Sequence, residues 1–424
     1  DKVITEDFFK PSSKDGYFNS DIVIDVERLL IRVLDKEEVK RRIVMHICAI
    51  EHCSFSLLNR LMKLDAEPLS RVLITGVISS SDKKNDDFIF PPVPNLIFTR
   101  DIGIVVNGHL LLTKPAELAR QREAIITKYI AYYELFKHDI ENDSFSDKVI
   151  ELNEDRSFLL EDDDDKRMVT VEGGDVMMVA PNHLLIGCSI RTSPSAIEKI
   201  IQQLFKKKVL NKVSVVKIPE KRDFMHIDTV FTQVKKNMWV VFGKFAGTEQ
   251  ADTGVHIADT LRGEKKVQKA AKVKVTQFIR QETATNKGYK VLVDESIESL
   301  EELLYHVSVE DLGCKKNEVD VVYCADGEFP YDEREQWTDA CNLLALKEGV
   351  VVGYDRNPFT INEFQKRGFY IIKAAEFIKK MKDGADLNEL LKQDTFILLP
   401  SSELSRARGG SHCMSMPLLR ENIV

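Results

Sequence analysis

From about residue 90 onward, short apolar runs alternate with longer stretches whose apolar residues recur at helical spacing. Short apolar runs bounded by turn-forming residues suit buried strands, and the amphipathic stretches suit helices. That alternation restricts this part of the chain to an α/β architecture. Strands are expected at Ile97–Val106, His109–Thr113, Met168–Val179, Leu184–Ser189, Lys212–Ile218, Met238–Phe242, Tyr289–Val293, Glu318–Cys324, Asn342–Ala345, Val350–Tyr354, Gly368–Ile372 and Thr395–Leu399. Helices are expected at Pro115–Lys137, Pro194–Lys206, Ser296–His306, Asp332–Thr338, Thr360–Arg367 and Ala374–Met381. Thr360 and Glu363 form a capping-box pattern for one of these helices, and Gly368 would stop it.

The N-terminal part has a different texture. Residues 1–20 are polar and irregular, and residues 21–66 carry apolar residues at helical spacing, as in Ile24–Leu34 and Ile43–Leu64. Cys48 and Cys53 fall on these helices and read as core residues. Ser70–Val77 closes the region, and a polar loop follows over Ser79–Asp87. The acidic run Glu161–Arg167 reads as a solvated loop or a weak metal chelator. Lys206–Lys208 reads as a basic helix end.

Bulk properties narrow the function. The formal net charge of -8 argues against nucleic acid and against an anionic membrane as partners. No apolar run is long enough to span a bilayer, and no signal peptide is visible. The seven cysteines are scattered and form no Cys-x-x-Cys pair. Neither a zinc site nor a disulfide framework is expected, and a reducing cytoplasm is.

Four polar motifs interrupt apolar runs, where an unpartnered polar group is costly. They are Asn95-Leu-Ile-Phe98-Thr99-Arg100-Asp101, Glu172-Gly-Gly-Asp175, His226-Ile-Asp228, and Arg408-Gly-Gly-Ser-His-Cys413. Glycines allow close backbone approach, so Cys413 reads either as a nucleophile on a pocket loop or as an incidental thiol in a turn. On a strand, His226 and Asp228 would share one face, as a catalytic pair or as a hydrogen-bonded structural histidine. Glu172-Gly-Gly-Asp175 reads as a site acid or as a plain turn, and Asp101 beside Arg100 as a site acid or a surface ion pair. Taken together, one thiol, one histidine and several carboxylates suggest covalent catalysis on a cation. Carboxylates hold a planar guanidinium well, because they accept its forked N–H donors. No metal-ligand set is evident.

These motifs, in this order, resemble the signature set of arginine deiminase, a guanidino-group-modifying enzyme. The resemblance takes in Lys114–Glu123, Gly187–Thr192, Val350–Asn357 and the stretch 409–421, and runs from about residue 70 to residue 421. It implies an α/β fold of five ββαβ-type units in a propeller (pentein type) over residues 71–424. An all-helical insertion near the N-terminus would then occupy residues 1–70. It implies hydrolysis of L-arginine to L-citrulline and ammonia through a covalent S-alkylthiouronium on Cys413. His226 would be general acid and base, with Glu172 beside it. Asp101 and Asp228 would grip the guanidinium, Asn95, Arg120 and Arg191 would hold the substrate carboxylate, Phe98 would pack on the substrate, and Arg408 would be a mobile loop arginine. No metal or organic cofactor is implied, and a homo-oligomer is compatible.

The chain departs from the pattern in places. The family's opening strand, with its His-x-Pro-Gly-like turn, is not found; truncation or processing is the expected reason. Met416 and Ser411 replace a Cys and a Gly of some members. Alternative activities are a citrulline ureidohydrolase, another guanidine or ureido hydrolase, or a non-catalytic arginine-binding protein. An amidinotransferase fits the Met414-Ser-Met-Pro segment less well.

Overall fold

A computed structural model of the chain describes residues 26–78, 87–93, 95–136, 148–152, 169–219, 224–243, 273–283, 288–401 and 408–418. The expected irregular segment 1–20, the acidic run 161–167 and most of the loop 79–87 lie outside the described residues. Contacts divide the chain into two compact units, Asp1–Leu96 with Glu117–Val149, and Ile97–Ala116 with Ile150–Val424.

The first unit is mainly helical among its described residues, with helices at Val26–Leu34, Glu37–Ile50, Phe55–Met62, Ala66–Thr75 and Gln121–Ile130, and it also holds a short antiparallel pair, Val77–Ile78 with Asp87–Phe88. Each presents an apolar stripe, and Leu30, Val33, Ile43, Val44, Ile47, Leu61, Leu69, Leu73 and Ile126 meet in one core. Burying each such side chain is worth about 1.5–3 kcal/mol, which is what holds short helices of modest intrinsic stability together. Ser54 caps Phe55–Met62 by accepting the Leu57 N–H. The Ala66–Thr75 helix ends at Gly76 in the left-handed conformation. Residue 70, where the sequence reading ends its helical domain, lies inside that helix.

The second unit is α/β. Its five-stranded sheet has the order Tyr289–Asp294, Lys274–Glu282, Lys212–Lys217, His183–Cys188, Val176–Ala180. His183–Cys188 and Lys212–Lys217 are parallel, with Ile186 opposite Val215. The helix Pro194–Lys206 makes the crossover, as a parallel pair requires. Ser193 caps it with Pro194 in its first turn, and Ile197, Ile200, Ile201, Leu204 and Phe205 form its buried stripe. A four-stranded sheet pairs Val350–Tyr354 with Thr395–Leu399, and Tyr370–Lys373 with Thr395–Leu399, both in parallel. Among the described residues, no helix is long and apolar enough to cross a membrane.

One local build recurs. A short 3-10 turn ending in or just after an aspartate leads into an antiparallel hairpin. Thr99–Ile102, with Asp101, precedes Gly103–Val106 and His109–Leu112. Gly173–Asp175 precedes Val176–Ala180 and His183–Cys188. Ile227–Thr229, with Asp228, precedes Phe231–Lys235 and Met238–Val241.

Several expected elements change. The strand expected over Ile97–Val106 starts only at Gly103, because residues 99–102 turn to bury Arg100 and Asp101. His226 and Asp228 are not strand neighbours: His226 precedes the Ile227–Thr229 turn that carries Asp228. The capping box at Thr360 is absent. The helix starts at Pro358, and Thr360 instead donates to Glu335 while Glu363 pairs with Arg367. The strand pairings of Phe231–Lys235 and Lys274–Glu282 are additional to those expected.

Candidate active site

The aspartate-bearing turns converge on the Cys413 loop. The Arg100 N–H donates to the Cys413 carbonyl (3.0 Å), and the Arg100 guanidinium donates to the Val176 carbonyl (2.6 Å). This ties the 99–102 turn to the loop on one side and to the 176–180 strand on the other. Ser411 anchors the loop to the sheet: its hydroxyl donates to the Val352 carbonyl (2.6 Å) and accepts the Leu344 N–H (3.2 Å). The Tyr354 hydroxyl donates to the Gly409 carbonyl (2.7 Å), and the Phe98 ring lies against Gly409.

The second anchor is Asp175. It is fully buried, accepting the Ile227 N–H (2.9 Å) on one carboxylate oxygen and the Ser189 hydroxyl (2.6 Å) on the other. It thereby fixes the turn that presents His226 and Asp228. Burial raises its pKa to about 6, against the lowering pull of His226 and of those hydrogen bonds. Gly174 lets the imidazole in: a Cβ there would sit 2.6 Å from the His226 ring.

His226 Nε2 lies 2.8 Å from Glu172 Oε2, and Nδ1 lies 3.8 Å from Asp101 Oδ1. Burial works against charge on this ring, but Asp101, Glu172 and Asp175 outweigh it and raise the pKa to about 10. The ring is therefore an imidazolium at neutral pH. Glu172 also accepts the Ala116 N–H (3.1 Å) and faces Arg191 Nη1 at 3.8 Å. Arg191 is further held by Met225 Sδ, 3.6 Å from its Nη2.

Asp228 is fully buried, and its Oδ1 has no hydrogen-bond partner among the described residues. Its Oδ2 lies 3.4 Å from His412 Nδ1 and 3.9 Å from Cys413 Sγ. Burial disfavours its charge, yet His412, His226 and Arg100 outweigh it and keep the pKa below the usual carboxylate value. Cys413 is not on an open turn but is buried, at 6% exposure. Burial first, then the charges of Asp228, Asp101 and Asp339, push its thiol well above the usual range. At rest the site thus holds a thiol, an imidazolium and buried carboxyl groups close together. Asp101 is buried beside them, not on the surface.

The structure gathers Cys413, His226, Glu172, Asp101, Asp228, Phe98 and Arg191 in the α/β unit. Arg408 lies in the same unit, its guanidinium 3.9 Å over the Trp337 ring and donating to the Trp337 carbonyl (3.3 Å). Asn95 and Arg120 belong to the helical unit, where Glu123 accepts the Asn95 N–H (2.8 Å) and pairs with Arg120 Nε (2.9 Å). Sequence reasoning passed over Asn342, which contacts both Asp228 and Cys413. It also passed over Asp339, a buried carboxyl raised to about 7 by burial and by Asp228, against the pull of Arg408. The signal available for both was the polar pair Thr338-Asp339 and the single Asn342 just ahead of a strand.

A metal-like cluster does exist, contrary to the sequence reading. Ligand atoms of Asp101, Glu172 and His226 lie within 4.8 Å of one another. Two of these atoms, His226 Nε2 and Glu172 Oε2, already meet as a hydrogen-bonded pair at 2.8 Å.

Comparison with known proteins places this geometry in a family. Residues 34–420 match the family model described as arginine deiminase. An arginine deiminase of Borrelia garinii subsp. bavariensis is 28% identical over 401 residues, covering 94% of this chain and 79% of that protein. One from Levilactobacillus brevis is 28% identical over 426 residues (96% and 85%). One from Borrelia duttonii is 31% identical over 336 residues (79% and 63%). Among solved structures, a dimethylarginine dimethylaminohydrolase aligns at a TM-score of 0.40 and 16% identity, over 77% of this chain and 81% of that one. The N-terminal domain of ArgZ, an arginine dihydrolase from cyanobacteria, aligns at 0.42 and 14% identity (78% and 79%). With the family model spanning nearly the whole sequence, this chain belongs to the arginine deiminase family.

Proposed function

We propose that this chain hydrolyses L-arginine to L-citrulline and ammonia, with Cys413 as nucleophile, His226 as proton carrier and Glu172 as the acid that holds His226. The observation carrying this is a buried thiol 3.9 Å from one carboxylate, in a site whose imidazolium is held 2.8 Å from another. A guanidinium entering between Asp101 and Asp228 meets two carboxylates that accept its N–H groups. Its positive charge favours ionisation of the Cys413 thiol, whose proton passes to solvent. The thiolate attacks the guanidinium carbon, and the C–S bond forms. His226 gives its proton to the departing nitrogen, and the C–N bond breaks to release ammonia. Neutral His226 then takes a proton from water. The resulting hydroxide adds to the S-alkylthiouronium carbon, the C–S bond breaks, and the hydroxyl proton passes to the departing sulfur to give citrulline and the Cys413 thiol.

In this reading Arg191 serves the substrate carboxylate, with Asn95 and Arg120 assigned the same role by resemblance and Arg408 the role of a mobile loop arginine. Phe98 packs on the substrate's chain. The α/β part is a propeller of five ββαβ-type units, with residues 1–70 as a helical insertion. The recurring turn-and-hairpin build at Asp101, Asp175 and Asp228 supports a repeated unit. The direct test is product analysis: incubation with L-arginine should yield citrulline and ammonia in equal amounts. Ornithine formed from citrulline would instead favour a ureidohydrolase.

A further inference from the structure

Asn342 lies 71 residues before Cys413 in sequence, and its amide oxygen lies 3.4 Å from the thiol. The orientation of this amide is not free. Its Nδ2 donates to the Asp228 carbonyl at 3.1 Å, and a carbonyl can only accept. Its Oδ1 accepts the Cys413 N–H at 3.3 Å, and an amide N–H can only donate. A flipped amide would oppose donor to donor and acceptor to acceptor at both ends. Gly410 leaves room for this oxygen, since a Cβ there would sit 2.3 Å from Oδ1. The remaining lone pair of Oδ1 faces Cys413 Sγ at 3.4 Å. An oxygen held this way accepts a hydrogen bond from a thiol and repels a thiolate.

We infer that Asn342 contacts the reacting sulfur as a polarity-locked acceptor, holding Cys413 as the neutral thiol until a cation enters the site. The inference deepens the assignment of Cys413 as nucleophile and rests on it. The titratable and charged groups that act on Sγ come from separate elements: Arg100 and Asp101 from the 99–102 turn, Asp228 from the 227–229 turn, Asp339 from the turn after the Tyr331–Trp337 helix, and Tyr354 from the Val350–Tyr354 strand. The carboxylates favour the thiol and Arg100 opposes them. Asn342 adds a neutral preference for S–H that a bound guanidinium does not cancel by charge alone. Binding must therefore shift either Sγ or its proton away from Oδ1, which couples activation to substrate.

The test is the pH profile of Cys413 alkylation by iodoacetamide, without substrate, in the full chain. The Cys413 peptide is followed by mass spectrometry so that the other thiols do not count. Asn342→Ala removes the acceptor, so its midpoint moves to lower pH and its rate near neutrality rises about tenfold, the equivalent of one pKa unit. Asn342→Asp keeps an oxygen at the same place, so its midpoint stays at or above that of the unsubstituted chain. A purely structural role would not separate the two variants in this way. Should Asn342→Ala fail to fold by circular dichroism, Asn342→Ser is too short to reach Sγ and carries the same expectation. An unchanged or raised midpoint in the folded Ala or Ser variant overturns the inference. Retained turnover in Cys413→Ala would instead overturn the nucleophile assignment, and the two failures are read in different experiments.

Discussion

The His226 Nε2 atom lies 2.8 Å from Glu172 Oε2, with both side chains buried. A carboxylate so placed keeps the ring protonated and fixes which nitrogen faces Glu172. Replacing it with a neutral amide removes both effects. Glu172→Gln should lower kcat by about 100-fold or more, the usual scale of one acid–base contribution. KM should move far less. Steady-state kinetics with arginine check this, and a kcat within a few-fold of the parent would remove Glu172 from the proton machinery.

The charge on His226 also has a pH signature. Its folded-state pKa of about 10 lies above the ~6.5 of an unfolded histidine. The sign follows: the ring's charge stabilises the fold fully below the unfolded value, and that contribution is lost as pH rises to about 10. Nitrogen NMR of labelled histidine should therefore find His226 doubly protonated well above neutrality. A ring that titrates near the ordinary value would contradict the carboxylate cage described here.

Asp228 presents one buried oxygen, Oδ1, with no partner among the described residues, while its Oδ2 lies 3.9 Å from the thiol. A guanidinium would supply the missing donor. Asp228→Asn replaces a charged acceptor with a neutral amide, so KM should rise and kcat should fall together. Both effects belong to the clamp, because the carboxylate aligns the carbon for attack and balances its charge. Unchanged kinetic constants would exclude it.

Asp339 is a buried carboxyl raised to about 7, at a residue with a positive φ of 65°. Asparagine tolerates that backbone conformation, so Asp339→Asn tests charge with little added strain. A raised folded-state pKa means that stability falls as pH climbs from the unfolded carboxylate value to about 7. The Asn variant lacks this loss. Its melting temperature should exceed that of the parent by a margin that widens from about pH 5 to about pH 8. A margin that does not change with pH would contradict the burial argument.

Much of this was legible in the sequence, for identifiable reasons. The helix Pro194–Lys206 announces itself through Ser193, Pro194 and an apolar stripe, all local signals. The motifs around Asp101, Glu172, His226 and Cys413 stand out because polar residues interrupt apolar runs. The turns themselves were hidden. Residues 97–106 read as one strand because Ile97, Phe98, Ile102 and Ile104 alternate loosely, whereas the chain bends to bury Arg100 and Asp101. Lys274–Glu282 lacks a clear strand pattern because the buried Gln277 and Arg280, hydrogen-bonded to Ser214 and to the Phe205 carbonyl, put polar residues where apolar ones are expected. Asn342 was read as the start of a strand. Its role rests on partners 71 and 114 residues away, and no local pattern encodes such a pairing.

The most direct test of the central claim is to incubate the chain with L-arginine and assay citrulline and ammonia together, beside Cys413→Ala. Equimolar citrulline and ammonia from the parent, and neither from a variant that keeps its fold by circular dichroism, is the expected result. Citrulline production that survives in Cys413→Ala would contradict covalent catalysis by this thiol.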